Sequence, residues 1–160
     1  MIVGCVKETF PGERRVALVP KIVASLTKAG CEVLIEGGAG VEAGFPDSVY
    51  VEKGVKVASR AEVFEKADVV LQVRGFGANP DHGGADVEQL RKDQILIATY
   101  EPLTAADQVK AAADKGVTLF AMEMIPRITR AQSMDVLSSM ATIAGYKAVL
   151  LAADHLPKIF

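Results

Sequence analysis

The amino-acid sequence predicts an α/β fold: a doubly wound, mostly parallel, Rossmann-like (flavodoxin-like) sheet with a long C-terminal connecting helix. Three observations carry that expectation. Short runs rich in Val, Ile and Leu alternate with longer amphipathic runs, as successive βα units require. The short runs are continuously apolar rather than alternating, which suits strands covered on both faces. The closing segment, Ser133–Ala153, contains no proline and consists almost entirely of apolar and small residues.

Each element has its own justification. Ile2–Val6 reads as the first strand, and a charged loop, Lys7–Leu18, leaves it. Pro20 suits a first helical turn and Gly30 a helix end, so Lys21–Ala29 reads as a helix. Val33–Ile35 is the next strand, then come a helix over Ser48–Lys53 and a weaker strand over Val55–Ala58. Ala61–Lys66 reads as helix and Val69–Val73 as strand. Gly75–Gly84 is the least structured stretch. It follows a strand, so it crosses the carboxyl edge of the sheet, where ligands of open α/β folds bind. A helix over Val87–Arg91, a strand over Ile95–Thr99, a helix over Thr104–Lys115 and a strand over Thr118–Ala121 complete the alternation. Thr104 is the expected N-cap of its helix and Gly116 its stop. Residues 1–132 are thus expected to form the α/β domain and 133–160 the long helix.

Composition narrows the function classes. The 160 residues carry 18 Lys and Arg against 20 Asp and Glu, a net charge of -2, which lacks the electrostatic footprint of a nucleic-acid binder. Half of the residues are apolar, which excludes a disordered chain. Cys5 and Cys31 lie inside strand-like runs and form no C-x-x-C pair, so buried reduced thiols are expected. No basic segment precedes an apolar one at the N-terminus, so no signal peptide is visible and the cytoplasm is the simplest compartment. Ser133–Ala153 is long enough to span a bilayer. Asp135, Lys147 and the hydroxyls of Ser138, Ser139 and Thr142 lie within it, however, and favour a buried helix over a membrane span.

Two stretches invite a ligand. Gly38-Ala39-Gly40-Val41-Glu42-Ala43 fits G-x-G-x-x-A after a strand, but no helix opens there, because Gly44, Phe45 and Pro46 interrupt the chain. It reads as a structural turn. Pro126–Asp135 is the stronger signal: Arg127, Arg130 and Gln132 stand at a helix entrance, where free N–H groups favour anions. Beyond it Asp135, Ser138, Ser139 and Thr142 recur at i, i+3, i+4, i+7 and share one helix face. That stripe either meets a ligand rich in amides, hydroxyls and phosphates, or closes on itself through an Arg127–Asp135 pair and hydroxyls bonded back to their own helix. In the first loop, Arg15 could turn inward as an anion clamp, against the alternative of a solvated loop. His82 and His155 have no spacing that suggests a metal site, and no metal-binding or nucleophile motif is visible.

Lys7-Glu8, then Gly12-Glu13-Arg14-Arg15-Val16-Ala17-Leu18-Val19-Pro20, then Glu36-Gly37-Gly38-Ala39-Gly40 resemble the N-terminal domain shared by alanine dehydrogenases and proton-pumping NAD(P) transhydrogenases. Arg130-Ala131-Gln132-Ser133-Met134-Asp135-Val136-Leu137-Ser138-Ser139-Met140-Ala141, with Ala144-Gly145-Tyr146, resembles the transhydrogenase branch. On the dehydrogenase branch, a substrate-side lysine would fall near Arg74. A catalytic histidine would fall near Tyr100-Glu101-Pro102, where this chain has none.

The resemblance implies part of the NAD(H)-binding subunit, with NADP(H) on a partner component, hydride transfer between the two, and proton translocation through membrane components. It implies that Arg127, Ile128, Thr129, Arg130, Gln132, Asp135 and Ser138 bind the cofactor around the nicotinamide, with no side chain acting as acid or base. It further implies a homodimer on the cytoplasmic face of the membrane, with no span of its own. A dinucleotide-binding half would follow the 133–160 helix, which then connects two domains, and the 160 residues alone would be inactive. The alternatives are an alanine-dehydrogenase-like enzyme and a non-catalytic association domain.

Overall fold

The computed structural model of the protein describes residues 1–157. It divides into two compact units, Met1–Ala121 and Met122–Phe160. The first holds strands β1 (Ile2–Cys5), β2 (Glu32–Glu36), β3 (Lys56–Ala58), β4 (Val69–Arg74), β5 (Ile95–Thr99) and β6 (Thr118–Ala121). Between them run helices α1 (Pro20–Lys28), α2 (Asp47–Val51), α3 (Arg60–Lys66), α4 (Gly84–Gln89) and α5 (Ala106–Asp114). The second unit consists of short 3-10 turns and helix α6 (Val136–His155).

All six strands are parallel, in the order β3-β2-β1-β4-β5-β6. That is the order of a dinucleotide-binding sheet, and without the three-residue edge strand β3 it reduces to the flavodoxin order. Both faces carry helices over the inner strands, as the continuous apolar runs predicted, while Phe120 of the edge strand β6 stays 55% exposed. Cys5, Val33 and Ile35 pack with Val23 of α1 and Tyr50 of α2. The alternate positions Val6, Leu34, Val70 and Leu96 pack with Val63 and Phe64 of α3, Val87 of α4 and Ala112 of α5. Gly4 makes one of these contacts possible, because a Cβ there would lie 2.6 Å from the Val63 side chain and 2.7 Å from that of Ala67. Helix α3 can therefore lie directly on β1. Both cysteines are free and buried, and desolvation pushes the Cys5 thiol up to about 12.

Several sequence expectations need correction. Gly75–Gly84 is not loose: Phe76–Ala78 forms a 3-10 turn, and Phe76, Ala78 and Asn79 are all buried. The N-cap position of α5 is Ala105, while Thr104 bonds its hydroxyl to the Glu101 carbonyl one turn earlier. Helix α3 begins at Arg60 with a complete capping box, the Ser59 side chain accepting from the Glu62 N–H and Glu62 reaching back to the Ser59 N–H. The long helix starts at Val136, not Ser133, because Thr129–Met134 winds as a 3-10 helix and Asp135 then caps α6.

The larger correction concerns burial: no residue of α6 is buried. Apart from its polar stripe, the helix spreads exposed apolar side chains around its axis rather than along one face, and Met122–Met134 contributes only short turns. Among the described residues it is the one helix long and apolar enough to cross a membrane, a test that core helices of soluble proteins also pass.

Candidate functional site

The sheet order reverses between β1 and β4. At that point β1 leads toward α1 on one face and β4 toward α4 on the other, and a crevice opens at the carboxyl edge. Where β1 leaves the sheet, Glu8 takes its place. Its carboxylate accepts from the Val73 N–H at 2.7 Å and the Arg74 N–H at 3.0 Å. Successive N–H groups of a regular strand point to opposite sides. Both can reach one carboxylate because the β4–β5 register shifts between Leu71 and Arg74. Burial pushes the Glu8 carboxyl above its ordinary value, against the pull of those two N–H groups.

Above Glu8 lies a pair of arginines around one carboxylate. Arg15 forks onto Glu13, with Nε–Oε1 at 2.7 Å and Nη2–Oε2 at 2.6 Å. Arg74 reaches the same Oε2 at 3.2 Å while its guanidinium stacks 4.1 Å over the Phe10 ring. The Arg15 hydrogen bond is the main cause that holds the Glu13 carboxyl down to about 2. Arg15 is therefore not an open clamp: its guanidinium, still exposed to solvent, is engaged with a carboxylate from its own loop.

A second ion cluster ties the strand ends together. Arg60 forks onto Asp86 at 2.8 and 2.6 Å. Its Nη1 donates to Glu36 and to the Lys7 carbonyl, each at 2.8 Å. Gln72 Nε2 also donates to Asp86, at 2.9 Å, so Glu36 of β2 and Asp86 of α4 meet the half-buried Arg60 guanidinium and Gln72 of β4 joins the cluster through Asp86. Sequence reading missed this cluster. The Ser59–Glu62 capping box was a legible signal for where α3 starts, but nothing marked Asp86 as a buried charge. Among the described residues, Gln72 Oε1 and Asn79 Oδ1 are buried acceptors without a partner at this edge.

The glycine turn is closed by an internal anion. The Gly38 N–H donates to both Asp47 carboxylate oxygens, at 2.9 and 3.0 Å, so an internal anion already fills the position a phosphate would need. A 3-10 turn over Val41–Ala43 follows in place of a helix. A Cβ at Gly40 would meet the Phe45 carbonyl at 2.5 Å and the Tyr50 ring at 2.7 Å, which explains the glycine by packing alone.

In the second unit, the structure brings Thr129, Arg130 and Gln132 onto one 3-10 turn directly before α6, preceded by Arg127 and Ile128. All five are exposed. Among the described residues, neither Arg127 nor Arg130 makes an ion pair. The polar stripe closes on itself, but without an Arg127–Asp135 pair. Asp135 Oδ1 accepts from the Leu137 and Ser138 N–H groups at 3.0 Å, and Oδ2 accepts from the Ser138 hydroxyl at 2.6 Å. Ser139 and Thr142 donate their hydroxyls to the carbonyls four residues back. The Ser138 hydroxyl is the largest cause that lowers the Asp135 carboxyl below its ordinary value, so it stays ionised at neutral pH. All three hydroxyls of the stripe thus lie within hydrogen-bond distance of acceptors on their own segment, which leaves their lone pairs for outside donors.

A six-stranded parallel sheet with helices on both faces and charged loops at its switch point defines an open, doubly wound α/β domain of the ligand-binding type. The sequence model described as "Alanine dehydrogenase/PNT, N-terminal domain" matches residues 4–144, and the chain belongs to that family. It is 45% identical to the NAD(P) transhydrogenase subunit alpha of Cereibacter sphaeroides, covering 100% of this chain and 30% of that protein. It is 34% identical to the NAD(P) transhydrogenase subunit alpha of Haemophilus influenzae, again over 100% of this chain and 30% of that protein. The crystal structure of transhydrogenase from Sinorhizobium meliloti superposes with a TM-score of 0.89 at 40% identity, over 99% of this chain and 46% of that one. A solved L-alanine dehydrogenase superposes with a TM-score of 0.83 at 30% identity, over 96% of this chain and 40% of that chain. The chain thus spans less than half the length of these relatives.

Proposed function

We propose that this chain forms the N-terminal portion of the NAD(H)-binding component of a proton-translocating NAD(P) transhydrogenase, in which hydride passes between NADH and NADP+ held on a partner component. One observation carries the reading on this chain's own residues. At the entrance to α6, exposed donors without ion pairs (Arg127, Arg130, Gln132) stand before a stripe, Asp135 to Ser138, that offers lone pairs to outside donors. A nicotinamide carboxamide and its ribose carry both complements, an oxygen acceptor and N–H or O–H donors. In this reading Asp135 and Ser138 take the amide N–H, Gln132 and Arg127 take oxygens, and Ile128, Thr129 and Arg130 flank them.

The bound dinucleotide supplies the hydride chemistry, and the protein's task is orientation. No side chain acts as acid or base: Asp135, held below its ordinary range, keeps its negative charge and positions rather than protonates. The residues fit only the nicotinamide end. The pyrophosphate has no place on the Gly38 turn, where the Gly38 N–H already donates to Asp47. We therefore assign the pyrophosphate to a second domain, with 133–160, which contains α6, as the connection, residues 1–132 as the N-terminal domain, and the chain alone inactive. Membrane and NADP-binding components, a homodimeric assembly and a peripheral position at the cytoplasmic face belong to the same reading.

The alanine-dehydrogenase alternative is weakened by Tyr100-Glu101-Pro102, where a proton-handling histidine is absent, and by Glu13, which engages both arginines of the crevice. An NADH titration followed by fluorescence, run on the 160-residue chain and on the complete natural gene product, tests the proposal. Binding by the complete product alone is expected; binding by the short chain would overturn the half-site reading. In the complete complex, Asp135→Asn and Ser138→Ala should each slow hydride transfer by about tenfold or more, with the fold intact by circular dichroism. Alanine-dependent NAD reduction by that product would select the alternative instead.

A further inference from the structure

We draw no further inference here: the strongest candidate, the exposed surface of helix α6 with its small residues Ser138, Ala141, Gly145, Ala148 and Ala152 at three- and four-residue spacing, has no single apolar face, and nothing in the structure shows what covers it.

Discussion

The carboxyl edge of the sheet and the entrance to α6 are both rich in charge, yet they treat it in opposite ways. At the sheet edge, Glu13 lies between Arg15 and Arg74, Arg60 lies between Asp86 and Glu36, and Asp47 fills the Gly38 turn. These charges answer one another inside the unit. At the α6 entrance, Arg127 and Arg130 make no ion pair among the described residues, and the helix beyond them buries nothing. The first region uses charge to hold the fold, whereas the second presents charge outward. A guanidinium already forked onto a carboxylate has few N–H groups left for a ligand, so charge density alone is a poor guide to a site.

Three sets of substitutions break or sharpen that contrast. Arg60→Met should have the largest effect, because it strands the Asp86 and Glu36 carboxylates in a partly buried cluster. Removing one partner of such a cluster costs about 3–5 kcal/mol, which urea unfolding monitored by circular dichroism would read directly. A loss near zero would mean that the cluster is solvated and the contrast is false.

Acid sensitivity is the next test. The Glu13 carboxyl is held at about 2 against an ordinary 4.5, so the stability it brings is complete above pH 4.5 and fades as pH falls toward 2. Glu8 is shifted the other way by burial, so acid relieves a penalty there rather than removing a gain. Urea titrations from neutral pH downward should show a shallower acid limb below pH 4.5 for Glu13→Gln, and, above pH 4.5, where Glu8 takes up its proton in the fold, a steeper decline for Glu8→Gln than for the native chain. Slopes that move in the same direction in both variants would contradict the assigned environments.

The smallest effect belongs to α6. Ile143 is 59% exposed and Leu150 is 47% exposed, so Ile143→Ser and Leu150→Ser should each change unfolding stability by no more than about 0.5 kcal/mol. A cost of several kcal/mol in the isolated chain would show that these side chains are covered in solution.

Much of the fold was legible in the sequence because its signals are local. Val, Ile and Leu runs bounded by turn residues marked β1, β2, β4, β5 and β6 to within a residue or two, and even the weak Val55–Ala58 run holds the edge strand β3. The helix bounds were less legible: α4 begins at Gly84 rather than Val87, three residues earlier than periodicity suggests, since glycine there signalled a turn. The entrance to α6 could be seen as a constellation, but periodicity could not say which hydroxyls bond back to their own helix; that depends on side-chain rotamers, as at Ser138, Ser139 and Thr142.

The amino-acid sequence by itself determined the alternation of strands and helices, the cover on both faces of the inner strands and the grouping of polar residues ahead of α6. Each of these follows from hydrophobic period and short-range punctuation, which act over a few residues. Tertiary structure alone decided that Glu8 closes the split where β1 leaves the sheet, that Glu13 engages both arginines, and that Arg60 gathers Lys7, Glu36 and Asp86. Most of these contacts join residues far apart in the chain. Their strength depends on distance, fork geometry and burial, and none of those quantities exists until the strands have taken their order.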